Sequence, residues 1–317
     1  MKSVLLIAPR FYGYWSLMKQ GIERESFTVD VMLYPSSWFF KLLTQFGLLK
    51  ILQSLYEYIY YRYHFKLLSV KYDFVVMVKP SIIPVNNLAV LRERYKSAKF
   101  VSYIWDDIKN DPKELDILKF FDKTFSYSKG DCHHYGFDFR PMFYNDLCDY
   151  KFDKKTIDLF YIGSYHESRF NFLVKLFKEA GENKLECKFI LRCSRFLQLS
   201  NKRHLRYKSF FRSNNLSYSE MINLLEESRC SIEIPFPGQC GTTTRPIESL
   251  ATRTKIITTN RDIINNPLYH PSNCYIIDPD NPSLDIEWLF APYHELDDTI
   301  MRFYSLSQFT KDILCFR

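Results

Sequence analysis

Apolar residues fall along this chain in short continuous runs separated by longer amphipathic stretches, and the two alternate almost from end to end. Ser3–Ala8 is an apolar run of strand length, Tyr14–Glu23 has helical spacing, and Thr28–Leu33 is a short strand. Asp73–Val78, Lys99–Ile104 and Lys123–Ser126 are predicted strands, with Asn86–Tyr95 and Leu115–Phe121 as helices between them. Alternation of this kind predicts a parallel, doubly wound α/β sheet.

A polar junction, Asn145–Thr156, precedes a second series. Asp158–Gly163 reads as a strand, Glu167 to Ala180 as a helix, and Lys188–Arg192 as a strand. Ser217 with Glu220 three residues later forms a capping box for a helix over Tyr218–Ser228. The strand Cys230–Ile234, the helix Pro246–Thr252 and the apolar run Lys255–Thr259 follow, and Trp288–Leu314 is helical with a break at Tyr304–Ser307. Two domains are therefore expected, 1–150 and 151–317, each holding ligands at the carboxyl ends of parallel strands.

One segment departs from this rhythm. Ser36–Val70 is crowded with Trp, Phe and Tyr, with Lys41, Lys50, Arg62 and Lys66 threaded through and Gly47 as a break between two helices. Two readings stay open: aromatic core packing, or an interfacial helix over residues 36–66 that sets rings and cations against a membrane surface.

Composition narrows the function classes. The chain has 317 residues, a formal net charge of +7, 23 Tyr and 28 Phe but only 9 Gly. A basic balance suits phosphate-bearing substrates or anionic lipid. Nucleic acid is not an expected partner, because no zinc finger, RNA-binding aromatic signature or long Lys/Arg block is present. The 8 cysteines are scattered without a Cys-x-x-Cys pair, and residues 3–8 are too short for a signal segment, so reduced thiols in the cytoplasm are expected. No apolar stretch reaches the length needed to span a bilayer.

Most of the candidate chemistry lies in residues 233–262. A strand ends at Ile234, Pro235–Gly241 form a loop, and Thr242, Thr243, Thr244 and Arg245 open a helix carrying one acid, Glu248. Helix N-termini attract anions because their first N–H groups are unpaired, and hydroxyls with a guanidinium there suit a diphosphate. Glu248, a turn further on, is placed to accept hydrogen bonds from a ribose diol. An ordinary capped helix is the competing explanation. Gly163-Ser164 ends a strand and opens a second such turn, and Arg169 and Arg192 are further phosphate candidates. In the first half, Arg10, Tyr12, Tyr14, Lys79, Asp106 and Asp107 follow strand ends and would face a ligand crevice, although packing or helix capping explains them equally well. Asp278-Pro279-Asp280 is read as a surface turn and His133-His134 as non-ligating, so no metal site is expected.

The 233–262 segment resembles the donor-binding region of bacterial GT-B glycosyltransferases that assemble capsular polysaccharide, lipopolysaccharide and O-antigen. Those enzymes carry Pro-Gly-Gln-Ser-Gly-Leu-Thr-x-Arg-x-x-Glu followed by Lys-x-Ile-x-Thr-Asn. Here Pro237, Gly238, Gln239, Gly241, Thr244, Arg245, Glu248, Lys255, Ile257, Thr259 and Asn260 fit, whereas Cys240 and Thr242 depart from the pattern. Tyr103, Trp105 and Asp106 also match a Tyr-x-Trp-Asp-Ser stretch, with Asp107 in place of Ser.

The resemblance implies a GT-B fold, two Rossmann-like domains with parallel sheets facing across a cleft, the last helix packing back on the first domain. It implies metal-independent transfer from a UDP- or dTDP-sugar to a glycan or lipid-linked acceptor, at the inner face of the cell membrane in the lipid-linked case. Gly163, Ser164, Arg192, Gly241, Thr242, Thr243, Thr244 and Glu248 would hold the donor. Arg245 would stabilise the leaving diphosphate, and Tyr12, Tyr14 and Asp107 would line the acceptor site. Asp106 would take the acceptor proton in an inverting reaction, or orient the acceptor in a retaining one. A GT-B sugar-nucleotide epimerase or hydrolase and a non-catalytic assembly subunit remain as alternatives.

Overall fold

A computed structural model describes residues 1–35, 49–152, 155–194, 202–235 and 241–315. Residues 36–48 of the aromatic segment, and Pro237, Gly238, Gln239 and Cys240 of the loop motif, lie outside the described residues. The chain divides into two compact units, Met1–Pro141 with Leu306–Arg317, and Met142–Ser305.

The first unit is built on strands β1 (Ser3–Ala8), β2 (Thr28–Leu33), β3 (Phe74–Val78), β4 (Lys99–Ile104), β5 (Lys123–Ser126) and β6 (Asp138–Phe139). They pair in parallel in the order β2-β1-β3-β4-β5-β6. Val4, Leu5, Leu6 and Ile7 are all fully buried, because helices cover both faces of the sheet. The terminal helix Leu306–Leu314 belongs to this unit and packs on Tyr14–Arg24 at Gly21, where an added Cβ would lie 2.5 Å from Thr310 Oγ1. Arg140, almost wholly buried, pairs with Asp312 at 2.9 Å, and Phe309 meets Tyr103 edge-on at 4.9 Å.

The helix Leu49–Leu67 answers part of the question posed by the aromatic segment. Tyr61 and Phe65 enter the core beside Leu5, Ile7 and Leu88. Leu55, Tyr56, Tyr58, Ile59, Tyr63 and Leu67 remain exposed. Core packing therefore accounts for one face of this helix only. No helix among the described residues is long and apolar enough to cross a membrane.

The second unit holds β7 (Ile157–Ser164), β8 (Cys187–Arg192), β9 (Phe211–Arg212), β10 (Ser228–Glu233), β11 (Lys255–Thr258) and β12 (Cys274–Ile276), all parallel, in the order β12-β11-β10-β7-β8-β9. The Ser217 capping box is present, with the Glu220 amide donating to Ser217 Oγ and the Ser217 amide to Glu220. Strands β6, β9 and β12 have only two or three residues and carry no run long enough to reveal them in sequence. The expected break at Tyr304–Ser307 is present at Tyr304–Ser305, and a further, unexpected gap divides the stretch before it, giving three helices, Ile286–Phe290, Asp298–Phe303 and Leu306–Leu314. Pro292 disfavours helix across the first gap, and Asp297 restarts it by accepting the Thr299 amide at 2.7 Å.

Candidate functional site

In the second unit the crossovers from β7 and β10 leave in opposite directions along the sheet, so the crevice between their carboxyl ends is a topological switch point. β7 delivers Gly163 and Ser164 there. A Cβ on Gly163 would lie 2.5 Å from Tyr161 Oη, so glycine is required locally by the Tyr161 ring two residues back on the same strand face. Ser164 is exposed and its hydroxyl has no hydrogen-bond partner among the described residues. β8 pairs beside it, with Arg192 opposite Ser164, and the Arg192 side chain is exposed at the strand end.

β10 ends at Glu233, a carboxylate only 8% exposed. Thr243 Oγ1 and Thr258 Oγ1 each donate to it at 3.0 Å. Burial pushes this carboxyl up, while the two threonines and the charge of Arg169 oppose the shift. Sequence reasoning passed over Glu233. Its signal was an isolated acid closing the buried run Cys-Ser-Ile-Glu-Ile, a placement that requires paired oxygens.

The bond to Glu233 also fixes the next element. Thr243 is the N-cap of the helix Thr244–Ala251, but its hydroxyl points at Glu233 and makes no capping bond. The helix is pinned from behind by Ser249, whose Oγ donates to Arg245 O at 2.8 Å and lies 2.6 Å from Ser231 Oγ. At its N-terminus Thr244 and Arg245 carry the first amides of the helix, and Pro246 has none. Gly241 to Arg245 are half-buried, Thr242 Oγ1 accepts from Asn266 Nδ2, and the Thr244 hydroxyl has no partner among the described residues.

Arg245 and Glu248 meet each other. Arg245 Nη1 donates to Glu248 Oε2 at 2.8 Å and contacts Met221 Sδ, while its buried Nε has no partner among the described residues. Glu248 is completely buried, so as placed it orients the guanidinium and does not offer its oxygens at a surface. Lys255 bonds Trp288 O, and Asn260 caps the following turn, which gives those two motif residues structural partners.

In the first unit the switch point lies between β1 and β3. Phe11, half-exposed, stacks edge-on against Tyr12 at 4.5 Å and Trp105 at 5.9 Å. Tyr12 and Lys79, at the ends of neighbouring strands, both have positive φ (44° and 54°), a conformation unfavourable for side chains with a Cβ. Lys79 Nζ forms an ion pair with Asp106 Oδ2. Tyr14 and Asp107 are placed differently from an acceptor surface: Tyr14 is 4% exposed and Asp107 2%. Tyr127 Oη donates to Asp107 at 2.8 Å, and Lys109 lies 3.6 Å from it. The charge of Arg10 acts on the Tyr60 phenol, which itself donates to Leu33 O at 2.7 Å.

Asp278 accepts the Asp280 amide at 2.8 Å, the geometry of a local turn, and no group of three or more metal-ligating side chains occurs among the described residues.

No protein-family model and no curated protein matches the chain. Solved structures do. AviGT4, a glycosyltransferase involved in avilamycin A biosynthesis, shares 10% identity over 99% of this chain and 96% of its own, with a TM-score of 0.61. Sucrose-phosphate synthase from Thermosynechococcus elongatus gives 10% identity, 98% and 97% coverage, and a TM-score of 0.63. HepE from Anabaena, in complex with UDP and glucose, gives 8%, 99% and 98%, and 0.60. At such identities the likeness is one of architecture, and together with the two six-stranded parallel sheets it establishes that this chain adopts the GT-B fold.

Proposed function

We propose that the protein is a glycosyltransferase that moves a sugar from a nucleoside-diphosphate sugar to a saccharide or lipid-linked acceptor. The observation that carries this reading is the placement of the N-terminus of Thr244–Ala251, flanked by Thr243, Thr244 and the Glu248-oriented Arg245, beside a parallel-sheet switch point in a GT-B fold. The bond between the anomeric carbon and the diphosphate oxygen breaks, and a bond to the acceptor oxygen forms. Negative charge grows on the leaving diphosphate, where amide dipoles and a fixed guanidinium lower the barrier without a metal ion. The acceptor proton passes to Asp106 in an inverting reaction; in a retaining one Asp106 orients the acceptor. UDP- or dTDP-sugars are the expected donors, Gly163, Ser164 and Arg192 completing their site.

Bacterial surface polysaccharide is the expected product, on the strength of the 233–262 motif. The exposed face of Leu49–Leu67 supports contact with an anionic membrane surface, because Arg62 and Lys66 lie among its tyrosines and aliphatics. The protein is accordingly expected in the cytoplasm, at the inner face of the membrane.

Calorimetric titration with UDP-, dTDP-, GDP- and CMP-sugars tests the assignment. One donor should bind, and Arg245→Ala should weaken it. Failure of all four to bind would remove the transferase reading, whereas product formed without any acceptor would favour the epimerase or hydrolase alternative.

A further inference from the structure

Behind Lys79 and Asp106 lies a second set of carboxyls. Glu114, on the helix Lys113–Ile117, is 2% exposed, and Ser81, in the turn after β3, bonds to it twice. The Ser81 amide donates to Glu114 Oε2 at 3.2 Å, and Ser81 Oγ lies 2.8 Å from Glu114 Oε1. The same Oγ lies 2.8 Å from Asp111 Oδ2. A serine hydroxyl carries one proton. Two carboxylate oxygens at this distance cannot both receive it in full, so one contact is best made by a proton on a carboxyl group.

We propose that Glu114 is a positioning residue: its protonated carboxyl donates a hydrogen bond to Ser81 Oγ, the Ser81 hydroxyl donates one to Asp111, and this chain of hydrogen bonds fixes the turn that sets Lys79 against Asp106. The turn needs such support, because Lys79 itself is held at positive φ. Loss of the Glu114 proton would leave two anionic oxygens competing for one hydroxyl, and the turn would loosen. Three other groups bear on Glu114. Asp111 disfavours its ionisation and Lys79 favours it, while the buried phenol of Tyr34 interacts with it as well. Burial outweighs these and pushes the carboxyl up to about 7. The direction therefore agrees with the count of protons, and places the switch at neutral pH.

The inference rests on the transferase reading only for its kinetic arm. Carboxyl-detected NMR of protein carrying carbon-labelled Asp and Glu, with E114Q to assign the resonance, measures the Glu114 midpoint directly. A midpoint near 7 is expected; one in the ordinary carboxylate range overturns the proposal. The Asp106 carboxyl resonance should show an inflection at the same pH, and E114Q should abolish it. An Asp106 resonance indifferent to the Glu114 titration also overturns it.

Glutamine imitates the protonated acid, since its amide donates to Ser81 Oγ and its carbonyl accepts the Ser81 amide. E114Q should thus stay folded, with turnover that no longer falls as pH rises through 7 and an unchanged donor KM. Superimposable pH profiles of wild type and E114Q would overturn the positioning role. Absence of turnover with every nucleotide sugar would count against the transferase reading alone, and the NMR measurements would still decide this one.

Discussion

The carboxyl ends of the two sheets are built by different means. In the second unit the buried Glu233 is met by hydroxyls from Thr243 and Thr258, and the buried Glu248 by the Arg245 guanidinium. In the first unit, Lys79 and Tyr12 hold unfavourable backbone angles beside a partly exposed ion pair and a carboxyl that is buried and hard to ionise. The contrast matches the two tasks proposed for them. Holding a diphosphate requires rigid, prepaid amide directions. Handling an acceptor proton requires groups whose charge responds to their surroundings.

Mutations sharpen the contrast. Asp106→Asn should slow transfer by about 10²–10⁴-fold while leaving donor affinity unchanged in calorimetry, since it lies on the first unit; equal loss of donor binding would collapse the distinction. Arg245→Ala should both weaken the donor and slow transfer, because this guanidinium meets the diphosphate in the ground state and as it leaves. It removes the guanidinium bonded to the buried Glu248 carboxylate, so stability should fall in denaturant titration, and donor affinity should fall by about tenfold or more. Arg245→Lys keeps the charge but loses the planar fork, so it should recover only part of the affinity.

A pH series tests the buried carboxyls of both units. The folded-state pKa of Glu114 lies above its unfolded value, so its stabilising contribution is complete below the usual carboxylate pKa and is lost as pH rises through about 7. Denaturant titration should show a decline of about 3 kcal/mol across that window, absent in Glu114→Gln. Burial likewise raises Glu233, so stability from that group also falls as pH rises through its folded pKa, and Glu233→Gln should remove that component.

Gly163→Ala should cost about 1–3 kcal/mol from the clash with Tyr161 Oη, measured by thermal melting. Adding Tyr161→Phe should relieve much of it, and a double mutant no better than the single one would show that glycine serves the ligand and not the tyrosine. The smallest effect expected is that of Thr243→Val, about 1 kcal/mol, because Thr258 still donates to Glu233.

Much of the fold was legible because parallel strands buried on both faces must be continuously apolar. β1 and β4 carry such runs and keep their expected bounds, whereas β2, with Asp30 inside it, and β5, Lys-Thr-Phe-Ser, keep theirs without a continuous apolar run. The start of the helix Thr244–Ala251 was legible for a related reason, since its hydroxyls, Arg245 and Glu248 are local to one helix and their spacing survives in the sequence. The same locality misled in one respect: Glu248 is an exposed-looking acid by spacing, yet it is buried against Arg245. Glu114 offered no signal at all. It sits in Lys-Glu-Leu-Asp-Ile, an ordinary amphipathic stretch, and its character comes from Ser81.

What the sequence determined alone is what short-range periodicity and local geometry can encode: two α/β halves, their strands, and a helix whose start is rich in hydroxyls. The tertiary structure decided which polar groups lose water. Glu233 is met by Thr258 and Glu114 by Ser81, residues brought together only when parallel strands align their carboxyl ends. Burial and partnership, not residue type, set the charge of a carboxyl group, and those follow from contacts made far along the chain.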